Sequence, residues 1–138
     1  MIVLDTSVIS ELIRESPLPA VMARVRGFRA EVLCTTAVTE AELRGGLAVL
    51  PIGRKSVLRQ LDLDSFIDIE LGRRILPFDS AAAKLYAVLI ADRSAKGRPI
   101  MPLDAQIAAI VRSNGATLVT RNTKDFENCG FEVINPWT

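Results

Sequence analysis

The 138-residue chain contains no histidine. That absence removes Ser-His-Asp and Cys-His triads, histidine general bases and histidine metal ligands together. Hydrolytic chemistry here must run on carboxylates and metal, or on a lysine or hydroxyl. Cysteine is scarce too, with only Cys34 and Cys129. Without histidine beside them they make a poor zinc site and read as reduced, buried thiols. Aromatics are 5% of the chain, so the core must be aliphatic. No run approaches the ~18 apolar residues of a membrane span. Only a short apolar run, Ile2 to Leu4 after Met1, precedes Asp5, with no basic segment, which argues against a secretory leader and makes the cytoplasm the expected compartment. A large charge of one sign is also missing. The 17 basic and 16 acidic residues leave +1, so no bulk field draws the chain to nucleic acid. A local basic patch stays open, because arginine outnumbers lysine and its planar fork suits phosphate.

What remains is an ordinary globular composition, 49% apolar and 24% charged. The length fits one domain, residues 1–138, large enough for a core without disulfides. Ile2 to Leu4 reads as a buried strand and Thr6 to Glu15 as a helix. Ser16 to Pro19 breaks the chain, and a helix covers Ala20 to Phe28. Glu31 to Thr35 reads as a strand, and Ala37 to Leu50 and Arg54 to Gly72 as helices. Ile75 to Phe78 is a short apolar segment, and Asp79 caps a helix running through Lys96. A helix from Asp104 to Ser113 and strands at Thr117 to Thr120 and Phe131 to Ile134 complete the chain. Short apolar strands alternating with helices imply an α/β fold with a mostly parallel sheet covered on both faces. Ligands of such sheets sit beyond the carboxyl ends of the strands.

Asp5 stands at such an end. Alone, it is equally well an N-cap. Asp104 also opens a helix, and the same reading covers it. Small residues Ala105, Ala108 and Ala109 would let that helix approach its neighbours closely. The helix from Ala37 is apolar nearly all round and should be mostly buried, so a glutamate on it needs a partner or a cation. Glu40 and Glu42 compete. They lie on nearly opposite sides of the helix, and periodicity does not choose between them. Gly45 and Gly46, on the side of Glu42, would leave room for a close neighbour. The segment Thr120 to Phe126 offers Arg121, Asn122, Lys124 and Asp125 in one loop. It reads either as a polar turn or as a phosphate contact through Arg121 and Lys124.

Four segments in this order carry a resemblance: Leu-Asp-Thr-Ser-Val-Ile-Ser at residues 4–10, Thr-Glu-Ala-Glu-Leu at 39–43, Leu-Asp-Ala-Gln-Ile-Ala-Ala at 103–109, and Thr-Arg-Asn-Thr-Lys-Asp-Phe at 120–126. Together with the closing Asn-Pro-Trp, the chain resembles PIN-domain ribonucleases, more narrowly the VapC and FitB toxins of bacterial toxin–antitoxin pairs. The resemblance implies a three-layer α/β/α fold and an acidic pocket for Mg2+ or Mn2+. It makes Asp5, Glu42 and Asp104 the catalytic and metal-binding acids. Thr6, and with it Ser7, matches a hydroxyl beside the first acid. Relatives often carry a fourth acid where this chain has Asn122, so Asn122 or Asp125 would complete the site. The implied partners are an RNA substrate, a second copy of the chain and a small antitoxin.

The chemistry is coherent. Two full charges ~5 Å apart at an effective dielectric of ~20 repel by roughly 3 kcal/mol. A cation between them relieves this, and oxygen ligands select magnesium or manganese over zinc. Such a site would leave a 5′ phosphate and a 3′ hydroxyl. An aspartate-phosphorylating phosphatase is a poorer match, because it wants a second acid where Ser7 stands. A PIN fold that binds nucleic acid or a partner without catalysis is the alternative. Leu12, Ile13, Leu58, Leu61, Leu63 and Ile67 are candidates for an exposed interface patch.

Overall fold

The computed structural model describes all 138 residues. Five strands form one sheet: β1 (Ile2–Leu4), β2 (Leu33–Thr36), β3 (Ile75–Leu76), β4 (Thr117–Val119) and β5 (Val133–Ile134). Their spatial order is β3-β2-β1-β4-β5, and every neighbouring pair is parallel. The helices are α1 (Thr6–Leu12), α2 (Pro19–Arg26), α3 (Ala37–Ala48), α4 (Arg54–Ser65), α5 (Ser80–Ala95) and α6 (Pro102–Ser113).

Successive strand residues point to opposite faces, and the two apolar cores follow that rule. Val3, Cys34 and Leu118 face a layer built from α5 and α6, where Leu89, Ile107 and Ile110 are buried. Their neighbours Leu4, Leu33 and Val119 face the other layer, with Val8, Val25, Leu63 and Phe66. The expected three-layer α/β/α arrangement is therefore present. Helix α3 gives Val38 to one core and Leu43 to the other. It thus lies across the end of the sheet.

The chain builds outward from β1 in both directions, through β2 and β3 on one side and β4 and β5 on the other. This reversal opens a crevice between the carboxyl ends of β1 and β4. Asp5 follows β1 directly and Thr120 follows β4, so both stand at its mouth.

Several boundaries differ from the sequence reading. Helix α1 stops at Leu12 rather than Glu15. The buried Glu11 carboxylate accepts bonds from the Arg14 guanidinium at 3.2 Å and the Leu18 N–H at 3.1 Å, which turns the chain back. Pro19 sits at the first position of α2, where its missing N–H costs nothing. Residues Ala30–Val32 form a 3-10 turn before β2. The helix expected to reach Gly72 does so only through a π-helical turn at Phe66–Glu70, where the Leu71 N–H reaches back to the Phe66 carbonyl. Gly72 follows in the left-handed region, at φ 53°.

Helix α3 is not mostly buried. Ala41, Arg44, Gly45, Gly46 and Ala48 face solvent. Small residues add little exposed apolar surface, which is why the composition misleads. A Cβ at Gly45 or Gly46 would meet nothing within 4 Å, so no neighbour packs there. By contrast Ala105, Ala108 and Ala109 are fully buried, as close packing of α6 requires. The expected apolar patch is also reduced. Leu63 and Ile67 belong to the core and Leu12 and Ile13 are half-buried, whereas Leu58 and Leu61 are exposed. No helix is long and apolar enough to cross a membrane.

Candidate active site

Asp5 occupies the cap position of α1, yet its side chain makes no capping bond. The backbone carbonyl of Asp5 instead accepts from Val8 and Ile9 at 3.1 Å. The carboxylate turns the other way and accepts the Thr120 hydroxyl at 2.7 Å. Asp79 is the contrast: at an equivalent position its carboxylate accepts from the Ala82 N–H at 3.0 Å, as a cap should.

Thr120 in turn accepts the Asn122 N–H at 3.1 Å, and Ser7 Oγ accepts the Arg121 N–H at 3.2 Å. The loop after β4 is thereby tied to Asp5 and the first turn of α1. The sequence reading placed Thr120 at the end of a strand and in the segment 120–126 but gave its hydroxyl no role toward Asp5. Its signal was available: a hydroxyl at the carboxyl end of the strand beside β1 must face the same crevice as Asp5.

On the other side, Thr6 Oγ1 donates to Glu42 Oε1 at 3.1 Å. Glu40 points away, paired with Arg44 at 2.9 Å, and Arg44 also reaches Asp64 at 2.8 Å. Asp104 is not a cap. Met101 holds that position, Pro102 and Leu103 follow, and Asp104 is the third helical residue of α6.

The carboxylates share one electrostatic environment. Burial pushes Asp5 above the ordinary carboxylate range, against the Thr120 hydroxyl bond and the Thr6 N–H, and the charge of Asp125 adds to the rise. Burial also raises Glu42; the Thr6 hydroxyl opposes this and the charge of Asp5 adds to it. Asp104 is pushed up to about 6, first by burial and then by the charges of Asp125, Asp5 and Glu42. Acids from four separate parts of the chain are thus close enough for their charges to act on one another. They do not close into a cage, since no three stand at the spacing that ligates a single ion directly. Like charges resist closer approach without a counter-charge between them.

The Arg121 guanidinium lies over Trp137, 5.0 Å from the centre of the ring. Lys124 lines a separate basic hollow. Asn122 contributes its backbone N–H to the Thr120 hydroxyl, and its side chain is exposed. Asp125 is exposed on the same 3-10 turn, Thr123–Phe126.

Burial and, after it, this repulsion have a stability consequence. The ordinary value for Asp104 is 3.8, and its folded value is about 6. The folded state therefore binds the proton more tightly, so this group's contribution is fully present below about pH 4 and is lost as pH rises through about 6. Partial solvent access screens the effect, leaving on the order of 1 kcal/mol. In chelator, Asp104→Asn should melt about 3 °C higher than the parent at pH 7, with the gap closing toward pH 4. A variant that melts lower at pH 7, or a gap independent of pH, would contradict the raised pKa of Asp104.

The comparison with known proteins decides what kind of crevice this is. A model of the PIN domain matches residues 2–132. The chain belongs to the PIN-domain family. Over 99% of its length this PIN domain is 42% identical to the VapC ribonuclease Y4jK of Sinorhizobium fredii, covering 98% of that protein. It is 38% identical to toxin FitB of Neisseria gonorrhoeae, over 99% of both chains. The fold matches a chain in the structure of FitAB bound to an IR36 DNA fragment with a TM-score of 0.91 and 37% identity, over 100% of this chain and 96% of that one. It matches a chain of the DNA-bound VapBC complex of Salmonella typhimurium with a TM-score of 0.83 and 25% identity, over 98% and 97% of the two chains. With the PIN fold, the phosphatase reading falls, and Ser7 serves instead to hold the loop at Arg121.

Proposed function

We propose that this PIN domain is a metal-dependent endoribonuclease, the toxin of a type II toxin–antitoxin pair, acting in the cytoplasm. One observation carries the reading. Asp5 declines the helix cap within its reach, and its charge adds to the burial that raises both Glu42 and Asp104. Keeping such groups together without a counter-ion destabilises the fold, so the arrangement makes sense as a cation site. The donors are all oxygens, which fits Mg2+ or Mn2+. Asp5, Glu42 and Asp104 would hold the ion, either directly after a small closure or through bound water. The metal would supply an acidified water and shield the phosphate charge.

The chain's own groups divide the remaining work. Thr120 orients the Asp5 carboxylate, and Thr6 orients Glu42. Asp125 stands outside them, exposed, where it shapes the field of the pocket. The relatives named ribonuclease and toxin support the RNA substrate. The FitAB and VapBC complexes support a small antitoxin partner, and the family resemblance adds a second copy of the chain. An arginine from such a partner would satisfy the carboxylates as a cation does.

The test is direct. Purified protein is incubated with structured and single-stranded RNAs, with Mg2+ or Mn2+ and with chelator, alone and with the product of the adjacent reading frame. Cleavage should require the metal and cease when the neighbour binds, and light scattering should return a dimer. Cleavage that persists in chelator would remove the metal mechanism.

A further inference from the structure

A second charged feature lies beside the acidic crevice. Arg93, Lys96 and Arg98, from the end of α5 and the turn after it, surround a hollow of about 430 Å³. Lys124, Glu127 and Asn128 close it from the other side, and no apolar side chain lines it. Four cations thus face one carboxylate in a chain whose net charge is only +1.

The floor of the hollow is built rather than accidental. Arg93 is 8% exposed. Its Nε donates to the Arg98 carbonyl at 2.8 Å and its Nη1 to the carbonyls of Asp125 and Glu127 at 3.3 Å. These bonds lock the end of α5 to the turn that carries Lys124. They leave the Arg93 charge uncancelled by any carboxylate. The other cations are weakly committed. Lys96 pairs with Asp92 at 3.0 Å between half-exposed side chains, and Arg98 stands 3.8 Å from Glu127. Surface pairs of this kind are worth little and yield to a better anion. A helix C-terminus attracts cations by itself, which would account for Lys96. It does not account for Lys124, which arrives from another element.

The position of the hollow indicates what it serves. Lys124 is adjacent to Asp125, whose charge raises both Asp5 and Asp104. On a 3-10 turn neighbouring side chains diverge by roughly 120°. The same turn therefore offers a cation to the hollow and a carboxylate to the crevice. We propose that the hollow seats a phosphodiester of the RNA backbone next along the strand from the one being cut. This assignment rests on the ribonuclease reading. The chemistry recognised is a phosphate, in an internal linkage or free in solution.

The probe is a fluorescent single-stranded RNA titrated onto the full-length Asp5→Asn protein at several salt concentrations. Adding Lys96→Ala and Lys124→Ala should lower the slope of log affinity against log salt by about 0.7, the value for the one phosphate left without its cations. The Lys→Arg pair should keep the slope. With Asp5 restored, the alanine pair should raise KM about ten-fold and leave kcat within about two-fold. Both side chains are exposed, so circular dichroism should match the parent. An unchanged slope and KM would overturn the proposal. So would inorganic phosphate at about 1 mM that binds the parent and not the alanine pair yet leaves RNA affinity unchanged beyond its effect on ionic strength, because the hollow would then be a free-phosphate site that RNA does not enter. A parent protein that shows the charge-dependent slope yet never cuts RNA would retire the ribonuclease reading and support the hollow as a backbone seat.

Discussion

Asp5→Asn is expected to abolish metal-dependent RNA cleavage while the protein stays folded. The loss should be about a thousand-fold or more, because metal stabilisation of the transition state is worth several kcal/mol and each 1.36 kcal/mol is a factor of ten. The fold should survive for specific reasons. An amide oxygen can still accept the Thr120 hydroxyl, and the backbone carbonyl that opens α1 is untouched. The substitution also removes a charge that burial already disfavours, so the melting temperature should hold or rise. Asp125→Ala is the internal comparison. Its carboxylate is exposed and acts on Asp5 and Asp104 only through space, so its removal should cost far less. Equal, complete losses at both positions would make Asp125 a ligand and revise the site. Full activity in a folded Asp5→Asn protein would end the metal mechanism.

Periodicity sufficed for much of the architecture, and the reasons are visible in particular residues. Val3 and Leu4 were legible as a buried strand because a parallel strand covered on both faces is apolar throughout. The crevice followed from the alternation of strands and helices, which puts Asp5 and the loop after β4 at one edge. The details that failed depend on tertiary contacts. The end of α1 is set by Glu11 accepting the Leu18 N–H, which no local pattern encodes. The exposure of α3 was hidden because glycine and alanine count as apolar yet tolerate water. Asp104 looked like a cap because Pro102 at the first helical position was overlooked as the stronger start signal. Convergence of the acids was legible only through the resemblance. Spacing alone left Asp5 evenly divided between cap and site, and the direction of its carboxylate removes the side-chain cap.

The choice between Glu40 and Glu42 was the one that periodicity could not make, and it yields the second large effect. Glu42→Gln should lower cleavage by about a hundred-fold or more, whereas Glu40→Gln should stay within about two-fold. The two residues are about 200° apart around α3, so one substitution cannot mimic the other. Glu42 accepts the Thr6 hydroxyl and senses the charge of Asp5. Glutamine keeps an oxygen for Thr6 but loses the full charge that a divalent ion requires, so the defect should appear in kcat and in the metal concentration needed. Glu40 is spent on Arg44, which is also held by Asp64. Its loss removes one partly exposed ion pair, worth about 0.5 kcal/mol of stability and no chemistry. Metal titrations of cleavage on the parent and both variants separate these outcomes. A Glu40→Gln protein that fails while Glu42→Gln still cuts would move the site to the opposite face of α3, away from Thr6 and Asp5.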